Sequence, residues 1–83
     1  MMKPTIHLNG TSKAALLEDW EKAHEALNLA LRLLCQAAPN GRDYYPQGPD
    51  AIHKAQIEHT ERVHRVNSVI KELEELSESI ALS

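Results

Sequence analysis

Hydrophobic residues recur at alternating intervals of three and four along two segments of the chain, the spacing that gathers them on one face of an α-helix. In the first segment this repeat consists of Leu16, Trp20, Ala23, Leu27, Ala30, Leu34 and Ala37. In the second it consists of Ile52, Gln56, His59, Val63, Val66, Ile70, Leu73, Ser77 and Ile80. The pattern predicts two amphipathic helices, over residues 12–37 and 49–81, that pack along their lengths.

Residues that start and stop helices agree with these boundaries. Ser12 precedes the first repeat, and its hydroxyl is suited to accept a hydrogen bond from the first helical turn, so we predict it as the N-cap. Pro39 disfavours helical geometry at Ala38 and ends the first helix, and Pro49 suits the first position of the second. We therefore predict one all-α domain over residues 1–83, an antiparallel two-helix hairpin with an arm (1–11) and a long connecting loop (38–48).

Composition narrows the class of protein. Hydrophobic residues make up 42 % of the 83 residues but aromatic residues only 4 %, with no Phe, which is typical of a helical bundle. A net charge of -3 argues against a protein whose main role is to bind nucleic acid phosphates. Cys35 is the single cysteine, which excludes an internal disulfide and a thiolate-rich zinc site, and its apolar neighbours predict a core position.

The size of the chain predicts association with other copies. Two helices bury little surface in each other, and leucines off the repeat, such as Leu17 and Leu31, make the first helix apolar around more of its circumference than one neighbour can cover. We expect a homo-oligomeric helical bundle. The expected oligomer interface comprises Leu16, Trp20, Leu27, Leu29, Leu33, Leu34, His59, Val63, Val66, Ile70 and Leu73.

The connecting loop is the first candidate for chemistry. A helical hairpin needs about two to five linking residues, and residues 38–48 exceed that. Tyr44 and Tyr45 could stack on a base, and Arg42 could bind its phosphate. In the alternative interpretation, both tyrosines cap the open end of the bundle and Arg42 forms an ion pair with Asp43. The sequence leaves both interpretations open.

The arm is the second candidate. Asn9, Thr11 and Ser12 surround the start of the first helix, where free backbone N–H groups and the helix dipole favour an anion. Plain N-capping explains the same residues. In a simple hairpin this end lies opposite the long loop, so a site that joins the two would form between chains of an oligomer.

The remaining polar residues predict no enzyme, metal site or cofactor. The five histidines lack the i,i+3 or i,i+4 spacing of metal ligands. His59 lies in the apolar repeat, where we expect a polar contact with Gln56 or with another chain. Glu58 with Arg62 and Glu61 with Arg65 have the spacing of helical ion pairs. No apolar stretch suits a membrane span and no signal peptide opens the chain, so we expect a cytoplasmic protein.

Two short segments carry a resemblance. HLNGTS (His7–Ser12) and PNGRDYYPQG (Pro39–Gly48), separated by a leucine-rich helix, resemble small uncharacterised helical proteins of tailed phages and prophages. Compact phage proteins of this type include anti-defence sponges, which oligomerise and sequester cyclic nucleotide immune signals. The resemblance implies a pocket between chains, with loop aromatics on bases, and a host cytoplasmic location if the chain is phage-encoded.

Two functions follow as hypotheses. The first is sequestration of a small anionic ligand, in particular a cyclic nucleotide, by a non-enzymatic oligomer through Arg42, Tyr44, Tyr45, Asn9, Thr11 and Ser12. The alternative is a protein-interaction module that docks onto a bacterial or phage partner through the surplus apolar face around Leu29 and Leu33.

Overall fold

Two helices packed against each other form the whole framework of the protein. A computed structural model describes all 83 residues, Met1–Ser83. Helix α1 spans Lys13–Gln36, helix α2 spans Ala51–Ala81, and there is no β-strand. The prediction of an all-helical fold with two packed helices is confirmed; the association of several copies stays a prediction.

Two of the three helix ends that carry a sequence signal agree with it. The Ser12 hydroxyl oxygen accepts a hydrogen bond from the backbone N–H of Ala15 at 3.1 Å, which confirms the predicted N-cap. Helix α1 ends at Gln36, shortly before Pro39. The predicted start of α2 at Pro49 is wrong, because the Gly48 carbonyl accepts from the N–H of Ala51 at 3.4 Å and closes a turn first.

Each helix has the carboxyl end of its backbone bound by a basic side chain of the other. Lys13 Nζ donates to the carbonyl oxygens of Ala81, at 3.3 Å, and Ser83, at 3.1 Å. At the other end of the hairpin, His59 Nε2 lies 2.9 Å from the carbonyl oxygen of Leu34. The carbonyls of Leu34 and Ala81 lie at the carboxyl ends of α1 and α2, where the helix dipole is negative. The two contacts therefore fix both the antiparallel direction and the register.

The face of α1 that contacts α2 is rotated from the predicted one. Ala23, Ala30 and Ala37 are exposed, so their predicted place in the contact is wrong. His24 and Leu31, each one position further along, are half-buried instead. The physical reason is side-chain size: burying the larger Leu31 removes more apolar surface from water than burying an alanine. The half-buried face of α1 comprises Leu16, Leu17, Trp20, His24, Leu27, Leu31 and Leu34.

The predicted core position of Cys35, the contact of His59 with Gln56 and the two ion pairs of α2 are wrong, whereas a contact of His59 with another chain stays a prediction. Cys35 is exposed rather than in the core, because Leu34 takes the inward position beside it. Gln56 is exposed, and the contact of His59 is with Leu34 rather than with Gln56. The two predicted ion pairs of α2 do not form; the carboxylate contacts are Lys22 with Glu18 at 3.0 Å and His24 with Glu74 at 3.7 Å.

The long connection covers the part of α2 that α1 does not reach. Helix α2 has 31 residues and α1 has 24, a difference of about 10 Å in length. Because His59 meets Leu34 near the end of α1, the excess is the first two turns of α2. The connection forms two 3₁₀ turns, Gly41–Asp43 and Tyr45–Gln47, and the second contacts α2. This packing accounts for the length of the loop.

A single hairpin leaves much of its surface in water. Its extents are 61 × 21 × 18 Å, and only His59, Ile70 and Ile80 are buried. A compact monomer of 9.3 kDa has about 5,000 Å² of accessible surface, whereas this chain has 6362 Å². The core is therefore one layer of side chains between two helices, open along both long sides.

Candidate functional site

An apolar strip spans both helices along one long side of the hairpin. On α1 its members are all exposed, and on α2 all but one are half-buried. In each helix they are spaced alternately by three and four, so they form a straight line along the axis. We call this surface the apolar side; it comprises Ala23, Ala26, Ala30 and Leu33 of α1, Ala37 at the C-cap of α1, and Val66, Val69, Leu73 and Leu76 of α2.

The largest apolar side chains left in water on this surface come from both helices. Leu33 is 53 % exposed on α1, and Val69 is 44 % exposed on α2. Leu29, which is 48 % exposed, borders the strip on the outer surface of α1. The alanines of the strip connect Leu33 with Val69, which lies about 10 Å further along the hairpin, and an extended apolar surface of this kind marks sites of interaction in soluble proteins.

The opposite long side is polar, and its contacts show that the two apolar lines share one side. His24 Nε2 lies 3.7 Å from Glu74 Oε1, so these residues mark the same side of the hairpin. Viewed down α1, the inward-facing Leu27 lies between His24 on one side and Ala23 on the other. Viewed down α2, the inward-facing Ile70 lies between Glu74 and the line of apolar residues in the same way. Both lines must then lie on the side away from the His24–Glu74 contact.

Polar contacts continue along that opposite side. Asn28 Nδ2 lies 3.1 Å from both the Nδ1 and the carbonyl oxygen of His24. A shallow groove on this side, lined by Leu17, Glu21, His24, Glu74 and Ser77, exposes mainly carbon atoms, so its polar groups lie at its edges. The hairpin as a whole is therefore amphipathic across its width, in addition to the amphipathicity of each helix.

Most residues of the predicted oligomer interface lie between α1 and α2 of one chain. Leu29 and Leu33 are the exceptions and are exposed. The others face the partner helix of the same chain and are half-buried or buried: Leu16, Trp20, Leu27, Leu34, His59, Val63, Val66, Ile70 and Leu73. Their contact with another copy stays a prediction.

The predicted ligand residues fall into two clusters at opposite ends of the hairpin. Arg42, Tyr44 and Tyr45 lie in the connection, whereas Asn9, Thr11 and Ser12 lie at the start of α1. The 24 residues of α1 separate the clusters by about 36 Å. One chain does not bring them together, so a site that uses both needs a second chain, as the sequence analysis assumed.

The arm is held by a turn of its own. The N–H of Gly10 donates to the carbonyl of His7 at 3.1 Å. The His7 ring lies over the glycine so closely that a Cβ at residue 10 would be 2.8 Å from His7 Nε2. Asn9, Thr11 and Ser12 are exposed beside this turn, and the Ser12 oxygen is already engaged in capping α1.

The connection forms a small polar groove against α2 that the sequence analysis missed. Tyr44 is half-buried in it, whereas Tyr45 is 75 % exposed, so only one tyrosine covers the end of the hairpin. The predicted Arg42–Asp43 ion pair is absent, and Arg42 is exposed. The lining residues are Pro39, Tyr44, Gln47, Ala51, Lys54, Ala55, Glu58 and Arg62.

The size of this groove limits what one chain can enclose there. Its volume of about 240 Å³ is below the roughly 300 Å³ at which sites for small organic ligands begin. Lys54 and Arg62 supply positive charge, with the carboxylate of Glu58 between them on the same helix face. Their i,i+4,i+8 spacing was visible in the sequence, but their meeting with Tyr44 depends on the folding back of the connection.

The side chains form no cluster that could hold a metal ion, and the helices contain no membrane-spanning segment. No group of three or more His, Cys, Asp or Glu side chains lies close enough together to hold a metal ion. Neither helix contains a stretch long and apolar enough to cross a bilayer.

Comparison of the chain with protein-family models, curated proteins and solved structures finds no match. The likeness of residues 7–12 and 39–48 to phage proteins stays a prediction.

Proposed function

We propose that the chain is a non-enzymatic protein-interaction module that works through its apolar side. The observation that carries the proposal is the amphipathicity of the hairpin across its width, with exposed alanines, Leu33 and Val69 on one side and the His24–Glu74 contact on the other. A partner on the apolar side removes from water the surface that a lone hairpin leaves exposed.

The surface area of the chain supports the same conclusion. The chain exposes about 1,400 Å² more than a compact monomer of its mass. Part of this excess belongs to the exposed arm, and part belongs to the open sides of the hairpin. Of these sides, the polar one is satisfied by water, so hydrophobic stabilisation is to be gained on the apolar one.

Site-specific photo-crosslinking in the cells that express the protein tests the proposal. A photoreactive amino acid replaces Leu33 on the apolar side or Ile57, which is 61 % exposed on the outer surface of α2, as the matched control. We expect crosslinked species of defined mass from position 33 and not from position 57. An absence of crosslinks from position 33, with equal expression of both variants, contradicts the proposal.

Sequestration of a small anionic ligand between chains is the second candidate, and the groove around Tyr44, which one chain leaves too small for such a ligand, is the observation that favours it. An aromatic ring beside Lys54 and Arg62 suits the base and the phosphate of a nucleotide. Thermal denaturation with a panel of cyclic di- and trinucleotides tests this. We expect a raised melting temperature that is lost in Arg62→Ala or Tyr44→Ala and kept in Tyr45→Ala; no shift with any member rejects it.

A further inference from the structure

We infer that the occupant of the apolar side is a second copy of this chain, packed face to face and antiparallel to form a four-helix bundle. The inference rests on the proposed function and names its partner. Three observations carry it: the arrangement of charges on the apolar side, the position of its centre, and the area that it offers.

The only charged residues in line with the apolar residues lie at opposite ends of the strip and have opposite signs. On α1 the line begins with Asp19, four residues before Ala23; on α2 it begins with Arg62, four residues before Val66. Because His59 meets Leu34, Arg62 lies level with the turn of α1 around Leu33. Asp19 and Arg62 of one chain are thus about 20 Å apart along the hairpin and cannot contact each other.

In a dimer with a two-fold axis across the hairpin, Asp19 of each chain can contact Arg62 of the other. Ala26 lies midway between Asp19 and the level of Arg62, and Val69 lies at about the same height on α2. Rotation about an axis through this level, parallel to the apolar side and perpendicular to the helices, stacks α1 on α1 and places Asp19 of the second copy over the Leu33 turn of the first. Asp19 is then at the level of Arg62 on the adjacent α2, within reach of its long side chain. The symmetry repeats the contact at the other end, as in an isologous dimer.

The line of apolar residues carries no charge at the centre of the same arrangement. Ala23, Ala26 and Ala30 leave little bulk between the two helices α1, so their backbones can approach closely, and Val69 lies beside them at the same height. Leu33 lies about 10 Å from this centre, near the end of the strip that carries Arg62. An interface of standard size removes about 800 Å² from each partner. From the level of Leu76 to that of Ala37 the apolar side is about 28 Å long and the hairpin is 21 Å wide, so the strip supplies most of that area and the residues that border it supply the rest.

Sedimentation equilibrium and native mass spectrometry of the purified chain test the contact. We expect twice the chain mass of 9.3 kDa in the wild type. Ala26→Glu is expected to give a folded monomer, since residue 26 is exposed in a single hairpin. Ala14→Glu, an exposed alanine outside the strip, is the matched control and should remain a dimer. Helical circular dichroism verifies folding, and Val69→Glu provides a second disruption of the centre.

A charge exchange tests the antiparallel geometry. Asp19→Arg and Arg62→Asp should each weaken the dimer at least about tenfold, because each places like charges together. The double variant should regain most of the lost affinity. Since the two residues are far apart within a chain, this rescue reports a contact between chains. A monomer at all micromolar concentrations, a dimer that persists in Ala26→Glu, or a double variant no tighter than the singles overturns the inference.

The two proposals fail in distinguishable ways. If the crosslinks from position 33 join the chain to a different protein and the purified chain is a monomer, the second copy is wrong and the interaction module stands. If neither experiment detects contact at the apolar side, both proposals are wrong.

Discussion

Replacing His59 with alanine tests whether the side chain that joins α2 to the end of α1 stabilises the hairpin. Arg62 Nη1 lies 3.4 Å from His59 Nδ1, and since a guanidinium only donates, Nδ1 accepts and Nε2 carries the hydrogen. His59 Nε2 then donates to the Leu34 carbonyl at 2.9 Å. In the variant, that carbonyl keeps only the N–H of Ala37 as a donor, at 3.1 Å, and this N–H is shared with the carbonyl of Leu33.

The expected loss of stability has two parts. The hydrogen bond contributes about 1 kcal/mol, and removing a ring that is 8 % exposed forfeits about 1–2 kcal/mol of burial. A total of about 2–3 kcal/mol corresponds to a fall of roughly 10–20 °C in the melting temperature of a domain this small. Thermal unfolding followed by circular dichroism measures it, at one fixed protein concentration because association shifts the midpoint.

Two further variants distinguish the loss of the His59–Leu34 contact from the general effect of replacing a histidine on α2. His64 lies on the same helix and is exposed, so His64→Ala should change stability by less than about 0.5 kcal/mol. His59→Gln keeps an N–H donor of similar reach and should recover part of the loss. Equal melting temperatures for His59→Ala and His64→Ala would refute the assigned role of the Leu34 contact.

Three further outcomes follow from the linker and the helix ends. Gly48 has φ 113° and ψ 166°, a region open almost only to glycine. Gly48→Ala should therefore lower the free energy of unfolding in urea by about 1–3 kcal/mol. Gly41→Ala should leave it unchanged or raise it slightly. Tyr44→Ala should increase hydrogen exchange in the first two turns of α2, and Tyr45→Ala should not. Lys13→Met, which removes the cation from the carboxyl end of α2, should cost about 0.3–1 kcal/mol and expose its last turn to exchange.

The sequence predicted what depends on local physics. The N-cap at Ser12 and the end of α1 before Pro39 are properties of a few adjacent residues, so they survive any tertiary arrangement. The existence of two long helices follows in the same way from a sustained hydrophobic period. The start of α2 differed by two residues because the Gly48 turn competes with the helix-starting tendency of Pro49.

The rotation of α1 and the linker groove depend on distant contacts, and the sequence did not reveal them. Two apolar repeats interleave along α1, one through Ala30 and one through Leu31, and only competition for burial against α2 selects the larger side chain. The groove likewise requires Tyr44 to fold back onto Arg62, eighteen positions further along the chain. Neither spacing nor composition fixes such a meeting.

The rotation of α1 relative to its predicted orientation is also the reason that the apolar side indicates a partner. Had Ala23 and Ala30 faced α2 as predicted, α2 would have covered them within the chain. In the structure they face outward with Ala26, Leu33 and Ala37. A solvated helix face carries charged residues, yet those of the second half of α1, Glu25 and Arg32, lie off this line. Small side chains permit helix axes to approach to about 8 Å, so the composition of this line favours a helical partner over open solvent.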